Sequence, residues 1–188
     1  MADSELLEIL LDLDPAERRK RLAAMTDEER REFEHHWELW ARTEQKPPQS
    51  DWRTWLIMAG RGFGKTRAGA EWVRTVSRHP EARIALVAAS LHEGRAVMIE
   101  GESGLLAVGR PDQRPIYEPS LRRLTWPNGA QATLFSAGEP ESLRGPQHSH
   151  ARGAGSQGVL RQQGLGPHRW AAAPLRGRRI VVAALGSG

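Results

Sequence analysis

The chain opens with three stretches in which apolar residues return at helical spacing. Leu6, Leu7, Leu10, Leu11 and Leu13 form one such face behind Ser4, a residue able to cap a helix. Asp14-Pro15-Ala16-Glu17 sets a second helix start, with an acidic cap, proline in the first turn and glutamate three residues after the cap. Thr26-Asp27-Glu28-Glu29 repeats the capping-box spacing, and the helix it opens carries Phe33, Trp37 and Trp40 on one face. That aromatic stripe reads as packing surface. Residues 44–51 then break the pattern as a linker. From Trp52 onward the period changes. Trp55–Met58 and Arg83–Ala89 are short apolar runs of the kind given by parallel strands buried on both faces, and each is followed by a helical pattern, Arg67–Ser77 and Leu91–Glu100. Leu121–Trp126 and Gln131–Ser136 flank Asn128-Gly129, the dipeptide that most strongly marks a two-stranded hairpin. Strand, helix, strand and helix predict an α/β domain with a partial parallel sheet and a β-hairpin, behind a helical N-terminal segment.

The net charge of +4 is unevenly distributed. No acid follows Glu141, whereas seven arginines do, so the basic excess belongs to the end of the chain. Residues 151–188 hold eight glycines and six arginines and no Asp, Glu, Lys, Asn, Tyr or Phe. Only Arg179–Leu185 there has the composition of a strand. The expected organisation is a helical segment and linker over 1–50, an α/β domain over 51–150 and a disordered tail over 151–188. A sheet ending at residue 150 would leave apolar strand edges uncovered. The chain has no cysteine, no apolar run long enough to span a bilayer and an acidic start, which predicts a cytoplasmic protein without membrane contact.

The chemistry concentrates in Ala59-Gly60-Arg61-Gly62-Phe63-Gly64-Lys65-Thr66, directly between a predicted strand and a predicted helix. Glycines let the backbone curl so that successive amide N–H groups converge on phosphate oxygens, and the helix beyond adds the positive end of its dipole. Lys65 supplies a point charge for β- and γ-phosphates, and Thr66 a hydroxyl for Mg²⁺. The spacing is that of a Walker A phosphate loop except that Ala59 stands where glycine is usual. This predicts ATP with Mg²⁺ as the ligand. Arg61 admits two readings, a cation placed at the γ-phosphate to catalyse transfer or a solvent-facing loop residue. Arg67 and Arg74 read as a solvated helix face. The pairs His35-His36 and His148-Ser149-His150 have no carboxylates at ligand spacing and read as surface histidines.

Beyond the loop, Asp51–Met58, Arg67–Arg74, Tyr117-Glu118-Pro119-Ser120, the Asn128-Gly129 hairpin and Ser142–His150 together resemble the large terminase subunit of tailed phages and of gene transfer agents. The resemblance covers roughly residues 37–150. It implies a P-loop NTPase of the RecA-like additional-strand class that drives double-stranded DNA into a capsid, in a bacterial host or from a prophage. It implies a portal protein and a small terminase subunit as partners and a homo-oligomeric ring as the working form. Alanine at the position of Ala59 and arginine at that of Arg61 are then expected, with Lys65 on phosphate, Thr66 on Mg²⁺ and Arg61 as the catalytic or coupling arginine. Gln45 has two readings, an adenine contact or a linker residue.

Two family features are missing. Just past a segment like Ser142–His150, terminases carry a strand ending in an Asp-Glu pair, the first acid serving Mg²⁺ and the second activating water. Here the acid-free stretch begins instead, and no carboxylate cluster for a nuclease follows. The composition change at residue 151 is what GC-rich coding DNA yields out of frame, so a frameshifted terminase gene is expected, against the competing reading of an arginine-rich nucleic-acid arm. The DNA past the His150 codon decides between them. Three functions follow as alternatives: a packaging ATPase, a nucleotide-binding remnant without turnover or nuclease activity, and another P-loop enzyme such as a helicase or nucleotide kinase.

Overall fold

The computed structural model describes residues 12–49, 51–143, 147–156 and 179–185. It divides into two compact units, with the boundary between Lys46 and Pro47. The helix expected after Ser4 lies outside the described residues.

In the first unit, helix α1 (Pro15–Ala23) begins as its sequence predicts, with Asp14 Oδ1 accepting from the backbone N–H groups of Ala16 and Glu17 at 2.8 and 3.2 Å. Helix α2 (Asp27–His35) has the full capping box. The Thr26 hydroxyl accepts from the Glu29 N–H, and the Glu29 carboxylate accepts from the Thr26 N–H. The helix then breaks at His36, whose ψ of 88° is not helical, and resumes as the single turn α3 (Trp37–Trp40). Trp40 folds back across the break but stays 55% exposed, so the stripe is not the buried packing surface that its spacing suggests. The Trp40 indole N–H donates to the Phe33 carbonyl at 3.1 Å, and the two rings meet edge to face at 5.3 Å. Gln45 ends a 3-10 turn (Thr43–Gln45), and its side-chain oxygen accepts from the Arg42 N–H at 3.0 Å.

The second unit is built on one mixed sheet of seven strands. These are β1 (Thr54–Ala59), β2 (Arg83–Ala88), β3 (Ile116–Glu118), β4 (Arg123–Thr125), β5 (Gln131–Ser136), β6 (His150–Ser156) and β7 (Arg179–Leu185). Their order is β1-β7-β6-β2-β5-β4-β3. The first five in that order run parallel, and β4 and β3 add antiparallel at one edge. The expected hairpin is β4–β5. Its turn is closed by bonds from Gly129 N to Trp126 O and from Trp126 N to Ala130 O, with Gly129 at φ 93°.

Helix α4 (Lys65–Val76) packs over β6 and β7. A helix following Ser90 starts as α5 (Leu91–Glu93) and widens at once into a π-helical segment, Gly94–Ile99. Gly94 permits its approach to the sheet, since a Cβ there would lie 2.5 Å from a Leu134 methyl and 2.9 Å from the Ala88 methyl. Ile84, Leu86 and Leu134 are buried, and on the opposite face of the sheet Ala85, Val87, Phe135, Ala137 and Ala151 form a separate cluster. Strand β2 is therefore buried on both faces, as its apolar run predicts. Strand β1 departs from that expectation. Trp55 and Ile57 are buried, while Leu56 and Met58 point the other way and are 47% and 53% exposed.

The stretch expected to be a disordered tail contributes two strands. β6 enters the middle of the sheet, with Ala151 and Gly153 paired with Ala85 and Val87 of β2. β7 is the one segment with strand composition, and it lies between β1 and β6. The parallel sheet consequently continues past residue 150. Residues 157–178 and 186–188 lie outside the described residues. No helix among the described residues is long and apolar enough to cross a membrane.

Candidate functional site

Parallel strands place their carboxyl ends on one edge of the sheet, and loops there are the usual ligand sites of such folds. The glycine-rich loop leaves β1 at that edge and enters α4. Ala59 is still the last residue of the strand, and the only non-glycine residue with positive φ among those described is Arg122, so alanine at position 59 carries no backbone strain. Gly62 (φ 76°) and Gly64 (φ 86°) occupy the left-handed region, where a side chain costs about 1 kcal/mol or more. Gly64 is the N-cap residue of α4 and offers no side chain to the helix end, so the first amides of α4 have no side-chain acceptor in the cap. A Cβ at Gly60 or Gly62 would meet nothing within 4 Å, which leaves the mouth of the loop open.

Lys65 curls back over this loop. Its ammonium donates to the carbonyls of Ala59 and Gly60 at 2.7 and 2.6 Å. Two neutral carbonyls hold an ammonium weakly compared with an oxyanion, because hydrogen bonds between ionised partners are roughly twice as strong. Thr66 is half-buried in the first turn, Phe63 is half-buried, and Arg61 is exposed. Ala59 through Thr66 are thus brought together by the strand–helix join itself. Gln45, held in its own 3-10 turn, belongs to the other compact unit.

Behind the loop, α4 is braced by charges. Glu71 is buried and pairs with Arg67 at 2.8 Å and with Arg74 at 2.9 Å, so these arginines are not the solvated face their sequence suggests. The spacing of three and four residues puts all three side chains on one side of the helix. Burial holds the Arg74 guanidinium below the usual arginine value, with Glu71 pulling the other way. Arg74 also fills the space beside Gly109, where a Cβ would lie 2.6 Å from its Cδ. Trp72 packs its ring against Trp52 and against His150, and His148 lies edge-on to Phe135. His148 is buried and His150 half-buried, so this pair serves packing and is not a surface feature. Among the described residues no group of three or more His, Cys, Asp or Glu is arranged to hold a metal ion.

One residue near the loop gives no signal in the sequence. Arg152 on β6 is completely buried, and its Nη2 donates to the Thr66 carbonyl at 2.9 Å. Nothing in an arginine-rich, acid-free stretch distinguishes it from its neighbours; only the register of β6 puts it under α4.

The first unit holds a separate cleft of about 490 Å³, lined in part by Met25, Phe33, His36 and Leu39.

The family model described as "Terminase large subunit, T4likevirus-type, N-terminal" matches residues 56–151, half of the chain. The chain belongs to this terminase family. Two solved terminases have a similar fold. The large terminase from a thermophilic bacteriophage aligns with 73% of this chain at a TM-score of 0.53 and 12% identity. The ATPase domain of the Thermus phage P74-26 large terminase aligns with 94% of it at a TM-score of 0.51 and 15% identity. The terminase chain described here spans 35% of the first of these proteins and 71% of the P74-26 domain. No curated protein matches it.

Proposed function

We propose that this terminase chain binds a nucleoside triphosphate at Ala59–Thr66, as part of a packaging-motor ATPase domain. The observation that carries the reading is the loop between β1 and α4. It has two glycines at positive φ, an open mouth, uncapped first amides of a 12-residue helix, and an ammonium resting on loop carbonyls. These features fit a polyphosphate. Lys65 would leave two carbonyl acceptors for charged phosphate oxygens, and the helix amides would supply further donors. The nucleotide is ATP by the family's usage, and Thr66 is the residue that would hold Mg²⁺.

Turnover needs a carboxylate placed to orient the attacking water. β6 ends in Gly155-Ser156, and no Asp or Glu follows Glu141 in the sequence. The acids near the carboxyl edge of the sheet, Glu93, Glu139 and Glu141, are all exposed. Without a placed carboxylate to orient water, the chain binds nucleotide and hydrolyses it slowly or not at all. A frameshift in the gene accounts, under this proposal, for the missing acid pair. Arg61 is proposed as the coupling arginine. Double-stranded DNA, portal protein, small subunit and a ring assembly are proposed as partners of the complete terminase.

Isothermal titration of the purified chain with Mg-ATP, run beside a phosphate-release assay, tests the proposal. Binding is expected for the wild type and at least a tenfold loss in Lys65→Ala, about 1.4 kcal/mol or more. Absence of binding heat in the wild type defeats the reading. Phosphate release well above background that disappears in Lys65→Ala would restore full ATPase function.

A further inference from the structure

Arg152 is an unusual side chain to find in the middle of a sheet. Its relative exposure is 0%, and its one hydrogen bond among the described residues runs from Nη2 to the carbonyl of Thr66, in the first turn of α4. Nε and Nη1 are buried without a partner. Burial pushes its pKa down to about 10, and burial is the sole cause, since no carboxylate among the described residues lies close enough to oppose it. Even so lowered, the guanidinium carries its charge at any ordinary pH. Helix α4 makes room for it at Gly69, where a Cβ would stand 2.6 Å from Nε.

A buried cation without a counter-ion is costly, and removing one partner of a buried pair is destabilising for this reason. The described residues supply no anion to Arg152. The glycine loop that opens α4, ending just before Thr66, is built to take one, and the guanidinium sits under the buried turn Ala68–Ala70, where charge attraction is screened far less than in water. We propose that Arg152 is a buried counter-charge for a polyphosphate bound at the loop, raising affinity for the anion and making the stability of the fold depend on its presence. Its bond to the Thr66 carbonyl also makes it a positioning residue for the first turn of α4. This inference rests on the nucleotide-site reading and adds a residue to it.

The test uses the full chain, with inorganic tripolyphosphate and Mg-ATP as probes. Titration calorimetry reads the affinity, and thermal unfolding with and without probe reads the linkage. Arg152→Met keeps an unbranched stem and removes charge, Arg152→Gln keeps a donor for Thr66 and removes charge, and Arg152→Lys keeps charge. Both neutral variants are expected to unfold at a higher temperature than wild type without ligand. They should also bind tripolyphosphate about tenfold more weakly, about 1.4 kcal/mol, and gain less from it in melting temperature. Arg152→Lys should bind nearly as tightly as wild type. Neutral variants that bind as wild type does, or that are less stable without ligand while keeping its full thermal shift, overturn the proposal and leave the loop reading intact. If Arg152→Met fails to fold, Arg152→Gln decides the same question. A wild type that binds neither probe, while Lys65→Ala behaves identically, sinks the loop reading itself, and the counter-charge falls with it.

Discussion

Glu71 shows how one side chain can hold an element in place. It lies on the helix that leaves the glycine loop, is 1% exposed, and is flanked by Arg67 one turn before it and Arg74 three residues after it. Two cations around one buried carboxylate leave no uncompensated negative charge, but deleting the acid strands Arg74, which is itself mostly buried. Glu71→Ala is therefore expected to lower unfolding stability by about 3 kcal/mol, read by urea denaturation. A loss under about 1 kcal/mol would mean the triad does not brace α4. This triad is legible in the sequence as spacing, because three and four residues separate its members. Its burial is not. That depends on Gly109, far along the chain, leaving room for the Arg74 stem. The loop is legible for the opposite reason: Gly62, Gly64, Lys65 and Thr66 are neighbours in sequence, and their geometry needs only the strand before and the helix after. Arg152 is invisible in the sequence because its environment comes from strand register, with Leu86 and Val181 as its paired neighbours.

At the level of elements, helix starts are the most readable feature. Asp14 and Thr26 cap as their sequences require, since a cap is decided within four residues. The capping box also carries a pH signature. Hydrogen bonds from the Thr26 backbone and hydroxyl hold the Glu29 carboxyl below its ordinary value of 4.5. A depressed carboxylate contributes stability that is fully present above the unfolded value and is lost as pH falls through the folded one. Thr26→Ala should therefore reduce helical circular dichroism at neutral pH, with the gap from wild type shrinking as pH falls below that ordinary carboxyl value. A gap that stays constant from neutral pH into the acid range would remove Glu29 from the account. The ends of helices are less readable. The pattern through Phe33, Trp37 and Trp40 suggests one helix, yet the backbone turns aside at His36 and the stripe is completed by the Trp40 to Phe33 bond. The pattern after Ser90 suggests a regular helix, yet it passes into a π-helical segment whose first residue, Gly94, packs onto Ala88 and Leu134.

Across the whole second unit, strand order explains both the site and its weakness. Two strands from the acid-free stretch stand between β1 and β2, so among the described strands the one bearing the loop is joined to the rest of the sheet only through β7. Composition points to a tail because arginine and glycine dominate it on average. Ala151, Gly153 and the Ile180–Leu185 run nevertheless have the small or strand-forming character that single positions in a parallel sheet accept. What the added strands do not supply is cover for the far face of β1. Leu56 and Met58 alternate with the buried Trp55 and Ile57, and β1 has no partner on its other side among the described strands. An edge strand with exposed apolar side chains is a template for association. The chain is expected to self-associate as its concentration rises. Met58→Lys should reduce that association in sedimentation velocity without lowering the unfolding temperature, because the side chain is 53% exposed and its buried neighbours Trp55 and Ile57 are untouched. Should Met58→Lys associate as strongly as wild type, some surface other than β1 is responsible; should it unfold at a clearly lower temperature, that face of β1 is covered in solution.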